Sequence, residues 1–233
     1  MESWIDWAMG PCFIFAIGFM LLGLMRHLLL TVWEVARAMG RAGDKSLPLR
    51  QICTATAKWL VPVDKLRNDP LFSVTSILFH IAIIVVPLFL AGHIALLAGA
   101  VGLWWPAIPN IVADVLTVLA VMTAVALVIQ RAAASATRLL SRFQDYALPL
   151  VIAVPFITGF LVMHPSVNPF SYQATLLVHV LSANLVLILI PLTKLTHIVL
   201  LPTVQLVSEV AWHWPSDAGS KLAVTLGKED EPL

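Results

Sequence analysis

Apolar positions along the chain gather into five long blocks, at about 11–30, 74–98, 108–129, 147–163 and 172–201. Each suits a helix of about 20 residues, the length that crosses a bilayer core. The turns between blocks are of two kinds. G-L-W-W-P-A-I-P after the second block and H-P-S-V-N-P-F after the fourth carry no Lys, Arg, Asp or Glu, whereas the connections after the first and third are rich in arginine. The pattern predicts five membrane helices. Residues 31–70 form a partly helical, amphipathic connection lying at the membrane surface, and 203–233 form a polar tail. Pro87 is expected to kink the second helix by removing a backbone donor. Pro149 and Pro155 fall within the fourth.

Composition agrees with this reading: 60% of the 233 residues are hydrophobic and only 12% charged, where soluble domains run near about a quarter. The fold class is therefore all-α, an integral membrane five-helix bundle. A formal charge of +1 gives no reason to expect a nucleic-acid partner. Cys12 and Cys53 are far apart with no C-x-x-C spacing, which excludes an iron–sulfur cluster and a disulfide framework. Eight of the fourteen Lys and Arg residues lie between Arg26 and Arg67, Arg131, Arg138 and Arg142 follow the third block, Lys194 lies near the inner end of the fifth, and Lys221 and Lys228 follow it. All fourteen then share one side, which the positive-inside rule makes cytoplasmic. The acidic start, M-E-S-W-I-D-W, lacks the positive charge of a signal peptide and reads as an uncleaved outer end. The amino end is outside, the carboxyl end cytoplasmic, and the membrane the cytoplasmic (inner) one.

Four histidines lie inside predicted helices: His80 and His93 on the second, His179 and His197 on the fifth. The interval of eighteen on the fifth helix closes about five turns, so both imidazoles would leave one face about 27 Å apart. The second helix runs outward and the fifth inward, so depth pairs His93 with His179 on the outer side and His80 with His197 on the inner. Two stacked bis-imidazole sites are what a dihaem electron wire requires; four independent structural histidines would give the same pattern. The thirteen residues between His80 and His93 leave those side chains about 140° apart on an ideal helix, so a kink or wide turn near Pro87 has to redirect one of them.

The segments F-H-I-A-I-I and A-G-H, and P-L-T-K-L-T-H at His197, resemble the ligand segments of the gamma subunit of membrane-bound respiratory nitrate reductase, a five-helix dihaem cytochrome b. The likeness spans about 20–202. It implies two haem b groups, with His80 and His197 the axial ligands of the inner one and His93 and His179 those of the outer. The family's interval on the second helix is shorter than thirteen. The tail S-E-V-A-W-H-W-P-S-D-A-G-S-K-L-A-V-T-L-G-K-E is similar to tails of membrane subunits in sulfate-reducer redox complexes. That likeness implies a cytoplasmic iron–sulfur subunit of heterodisulfide reductase type, ahead of one like the nitrate reductase beta subunit, and a quinone such as menaquinone or a periplasmic multihaem cytochrome c as the other electron partner.

Three further polar residues lie in or beside the membrane. Lys194 is a natural partner for a haem propionate, or snorkels to the headgroups. Asp114 and His164 are candidates for an outer quinone pocket, where either would take a proton released by quinol oxidation; Asp114 would alternatively cap its helix. His27 reads as an interfacial residue, and His213 is assigned nothing. The rival class is a haem-free membrane anchor or small transporter using the histidines for protons or substrate. Transporters are commonly built from internal repeats, and none is detectable here.

Overall fold

The computed structural model describes residues 1–41, 48–60, 63–213 and 223–227, and among them there is helix and no strand. The helices are α1 (Glu2–Trp7), α2 (Phe13–Arg41), α3 (Leu49–Leu60), α4 (Val63–Asn68), α5 (Pro70–Phe89), α6 (Ala91–Val101), α7 (Asn110–Ala133), α8 (Ser135–Leu140), α9 (Phe143–Met163), α10 (Tyr172–Leu189) and α11 (His197–His213). A π-helical turn, Ala8–Cys12, joins α1 to α2, and two 3-10 turns, Ile190–Leu192 and Lys194–Thr196, lie between α10 and α11. Five stretches are long and apolar enough to cross a membrane: Glu2–Gly40, Pro70–Phe89, Asn110–Ala133, Phe143–Met163 and Tyr172–Leu192. The chain is thus a multi-pass membrane protein.

Three of the expected helices end elsewhere than their apolar runs do. The first starts at Glu2, because Pro11 does not begin it but sits inside, in the π turn. Proline offers no N–H to the carbonyl four residues back and crowds it; a turn widened by one residue relieves both problems. The second run is divided at Leu90, which is extended (φ −73°, ψ 131°) between α5 and α6. The fifth run is divided by Pro191 and by Thr193 (φ −127°, ψ −172°), so His179 and His197 do not share one continuous helix. The Thr193 hydroxyl and amide both donate to the Leu189 carbonyl, at 2.7 and 3.1 Å, closing the end of α10.

The residues group into two units, 1–21 with 63–194 and 22–62 with 195–233. In the first, α5 packs on α7, α7 on α9 and α9 on α10. One stripe of α7, Ala113, Thr117, Ala120, Ala124 and Leu127, is buried and mostly small, which lets neighbouring backbones approach closely. The opposite stripe, Ile111, Val115, Val118, Met122, Val125 and Ile129, is exposed and apolar. Such a face is untenable in water but matches lipid. The two threonines of the buried side return their hydroxyls to their own helix, Thr117 to Ala113 and Thr123 to Leu119. α5 starts at an Asp-Pro pair whose Asp69 carboxylate accepts the Phe72 amide at 3.2 Å.

The π turn packs on α10 through Asn184, which is 3% exposed and donates to the Ala8 carbonyl at 2.9 Å and to Cys12 Sγ at 3.3 Å. Asn184→Ala is expected to lower stability in detergent by about 1–2 kcal/mol, since hydrogen bonds between membrane helices rarely exceed that range. A thermal midpoint equal to wild type would show that the amide does not hold this helix.

In the second unit α3 packs on α11. It buries Ile52 and Thr56, one turn apart, and exposes Arg50, Gln51 and Lys58, the amphipathic pattern expected of the connection. Lys45 and most of the tail, 214–222 and 228–233 with Trp214, Lys221 and Lys228, lie outside the described residues.

Candidate functional site

His179 is held from α9. Its Nδ1 lies 2.8 Å from the Pro155 carbonyl and 3.5 Å from Thr158 Oγ1. A carbonyl only accepts, so Nδ1 carries the proton and Nε2 keeps its lone pair, the tautomer a metal-ligating imidazole needs. The Thr158 hydroxyl is itself directed back to the Val154 carbonyl, at 2.9 Å.

His93 is positioned by the break at Leu90. The carbonyls that the broken helix frees are taken up by the following connection: Trp105 Nε1 donates to Leu88 at 2.7 Å and the Ile108 amide to Phe89 at 2.9 Å. Leu90 in turn accepts from the His93 and Ile94 amides, both at 3.0 Å, and starts α6. The His93 Nδ1 is buried and makes no hydrogen bond. The break therefore does what a thirteen-residue interval on a straight helix does not: it redirects His93 relative to His80.

The His93 and His179 rings lie 6.0 Å apart, centre to centre, with planes 9° from parallel. Face-on contact would bring them to about 4 Å. Two imidazoles each bonded at about 2 Å to one metal stand roughly 6 Å apart, which is the spacing found. Among the described residues no group of three or more His, Cys, Asp and Glu side chains converges. A pair of imidazoles suits an iron whose equatorial positions a porphyrin already fills. The ring spacing and the fixed His179 tautomer, which leaves its Nε2 lone pair, make this donor pair fit haem.

His80, on α5, places its Nδ1 2.7 Å from the Ser76 carbonyl. Phe79 meets its ring edge-on. His197 opens α11 and is exposed; it belongs to the second unit, His80 to the first.

Asp114 and His164, separate candidates in the sequence, are partners: Oδ2 and Nε2 are 3.3 Å apart, both side chains about one-third exposed. His164 follows the last residue of α9, with Nδ1 2.9 Å from the Phe160 carbonyl and its ring stacked on Phe160 at 4.2 Å. Lys194 is engaged by Asp145, 2.5 Å away, and the same carboxylate lies 3.7 Å from Arg131. This triad ties the ends of α7 and α9 to the turn after α10. Sequence reasoning passed over Asp145, Pro155, Trp105 and Asn184. An acid close to Arg138 and Arg142, and a lone amide within an apolar run, were the available signals for the first and last.

No protein-family model matches the chain, and no solved structure does. A protein of Nitratidesulfovibrio vulgaris (strain ATCC 29579 / DSM 644 / CCUG 34227 / NCIMB 8303 / VKM B-1760 / Hildenborough), described only as "Protein", is 41% identical over 158 residues, covering 66% of this chain and 68% of that one.

Proposed function

We propose that this chain, which belongs to the same family as the Nitratidesulfovibrio vulgaris protein, is the membrane cytochrome b subunit of a respiratory redox complex. It carries electrons between a quinone or a periplasmic cytochrome c and a cytoplasmic iron–sulfur subunit. The observation that carries this reading is the parallel His93–His179 pair at 6.0 Å. Haem, when bound, supplies a one-electron iron couple whose potential the surrounding protein sets.

The chain's residues have distinct parts in this reading. His93 and His179 hold the outer haem, and the Pro155 carbonyl fixes the tautomer and orientation of the second. His80 and His197 hold the inner haem; this rests on the resemblance of their sequence segments, with the Ser76 carbonyl directing His80 in the same manner. The amino end faces outward and the carboxyl end the cytoplasm, on the distribution of Lys and Arg. Asp114 and His164 border the quinone site as one proton-accepting pair. Lys194 shares its charge between Asp145 and a propionate of the inner haem. The partner on the cytoplasmic side is an iron–sulfur protein of heterodisulfide reductase type, which should copurify with the tagged chain.

A reduced-minus-oxidised absorbance spectrum of the purified protein is the decisive measurement. The expected result is a b-type haem band and two haems per chain by pyridine haemochrome assay. A folded, haem-free protein would remove the cytochrome reading and leave the anchor or transporter class.

A further inference from the structure

His179 lies against α9 in a way that depends on a missing side chain. At Gly10, Gly18, Gly92 and Gly99 an added Cβ would meet nothing within 4 Å. At Gly159 it would stand 2.9 Å from His179 Cε1, 3.1 Å from Nδ1 and 3.7 Å from Nε2. A glycine kept only for close helix packing would place its absent Cβ against the backbone of the neighbouring helix. Here all three of the nearest atoms belong to one imidazole.

We infer that Gly159 is a positioning residue for the outer haem: its bare Cα is the seat on which the His179 imidazole lies while Nδ1 bonds the Pro155 carbonyl and Nε2 addresses iron. This rests on the reading of His93 and His179 as axial ligands. The residue before the seat and the one four before it hold the same ring, Thr158 Oγ1 at 3.5 Å and the Pro155 carbonyl at 2.8 Å. One turn of α9 is thus a cradle with a hydrogen-bond acceptor at one end and open backbone at the other.

The energetic consequence differs between the free and the liganded ring. A Cβ 2.9 Å from Cε1 is too close to be tolerated in place, so the ring has to shift, which is cheap when the obstructing atom ends a mobile side chain: an unliganded imidazole can swing aside at the expense of one hydrogen bond. A ring tied at Nδ1 to a carbonyl and at Nε2 to a metal has no such freedom. A methyl group at position 159 should therefore act on the haem more than on folding.

The test uses the full-length purified protein and three variants, Gly159→Ala, Gly159→Val and, as a control in an open position, Gly18→Val. Haem per chain, the low-spin ferric electron paramagnetic resonance spectrum and the two midpoint potentials are measured in each. Parallel axial rings separate the iron d orbitals that a perpendicular pair leaves nearly degenerate, so the outer haem of wild type should give the rhombic signal of parallel ligands. Gly159→Ala is expected to retain two haems, with the signal and potential of one altered and those of the other unchanged. Gly159→Val should fall from two haems to one, and Gly18→Val should keep both. Two haems with unaltered spectra and potentials in Gly159→Ala would overturn the inference, even if the valine variant failed to fold. Equal haem loss in Gly18→Val would also overturn it. A haem-free wild type would instead overturn the reading beneath it.

Discussion

Replacing His93 or His179 by alanine should each lower the haem content from two per chain to one, and the double replacement should still leave one. The rings are parallel and 6.0 Å apart, so the two residues act on one site and their losses are not additive. A first-row metal held by two imidazoles does not keep its affinity when one is removed, whereas removing a hydrogen-bond partner of a ligand costs only about 10–100-fold. The haem that remains should have the same midpoint potential in all three variants. If the single variants lost different haems, or the double variant lost both, these two histidines would not be partners. Neither single change should unfold the chain, because the ring hydrogen bond that Ala removes from His179 is worth about 1 kcal/mol.

The second large effect is expected at the Asp114–His164 pair. The Phe160 carbonyl holds a proton on His164 Nδ1, and the ring is fixed by stacking, so any proton exchanged with Asp114 passes through Nε2. A hydroquinone gives up two protons as it gives up two electrons, and in the proposed reading the pair accepts one of these. Asp114→Asn keeps the shape but removes the acceptor. Quinol-driven haem reduction in stopped flow should slow by about 10²-fold or more, the usual contribution of a positioned acid–base group. Reduction by dithionite, which needs no protein base, should be unaffected. Equal quinol-driven rates in wild type, Asp114→Asn and His164→Gln would detach the pair from quinol chemistry.

Several helix ends moved when the chain was seen folded, and each for a reason outside its own segment. The apolar run through His93 reads as continuous because every residue from Ile77 to Ala98 but His80, Pro87, Gly92 and His93 is plainly apolar. Its break at Leu90 is stabilised by Trp105 and Ile108, which supply the donors that a straight helix would have supplied from within. The clean interval of eighteen on the fifth run suggested one face for His179 and His197, yet Pro191 and the Thr193 hydroxyl end α10 before it is completed. The thirteen-residue interval, by contrast, looked awkward only because the helix was taken as straight. Lys194, read as a propionate partner or a residue snorkelling to the headgroups, meets Asp145 from forty-nine positions earlier, a contact the sequence did not suggest.

The five membrane helices, their approximate places and the residues able to bind a metal or a proton follow from the sequence by itself. Partition of an apolar run of about 20 residues into lipid is a property of that run and of little else. Helix direction already paired His93 with His179, but how their rings are turned, that Asp114 and His164 form a pair, and that the Gly159 Cα lies against the His179 ring were decided by the tertiary structure. A side chain's direction depends on where its helix breaks. Those breaks are set by hydrogen bonds from distant residues to carbonyls that lipid would leave unsatisfied.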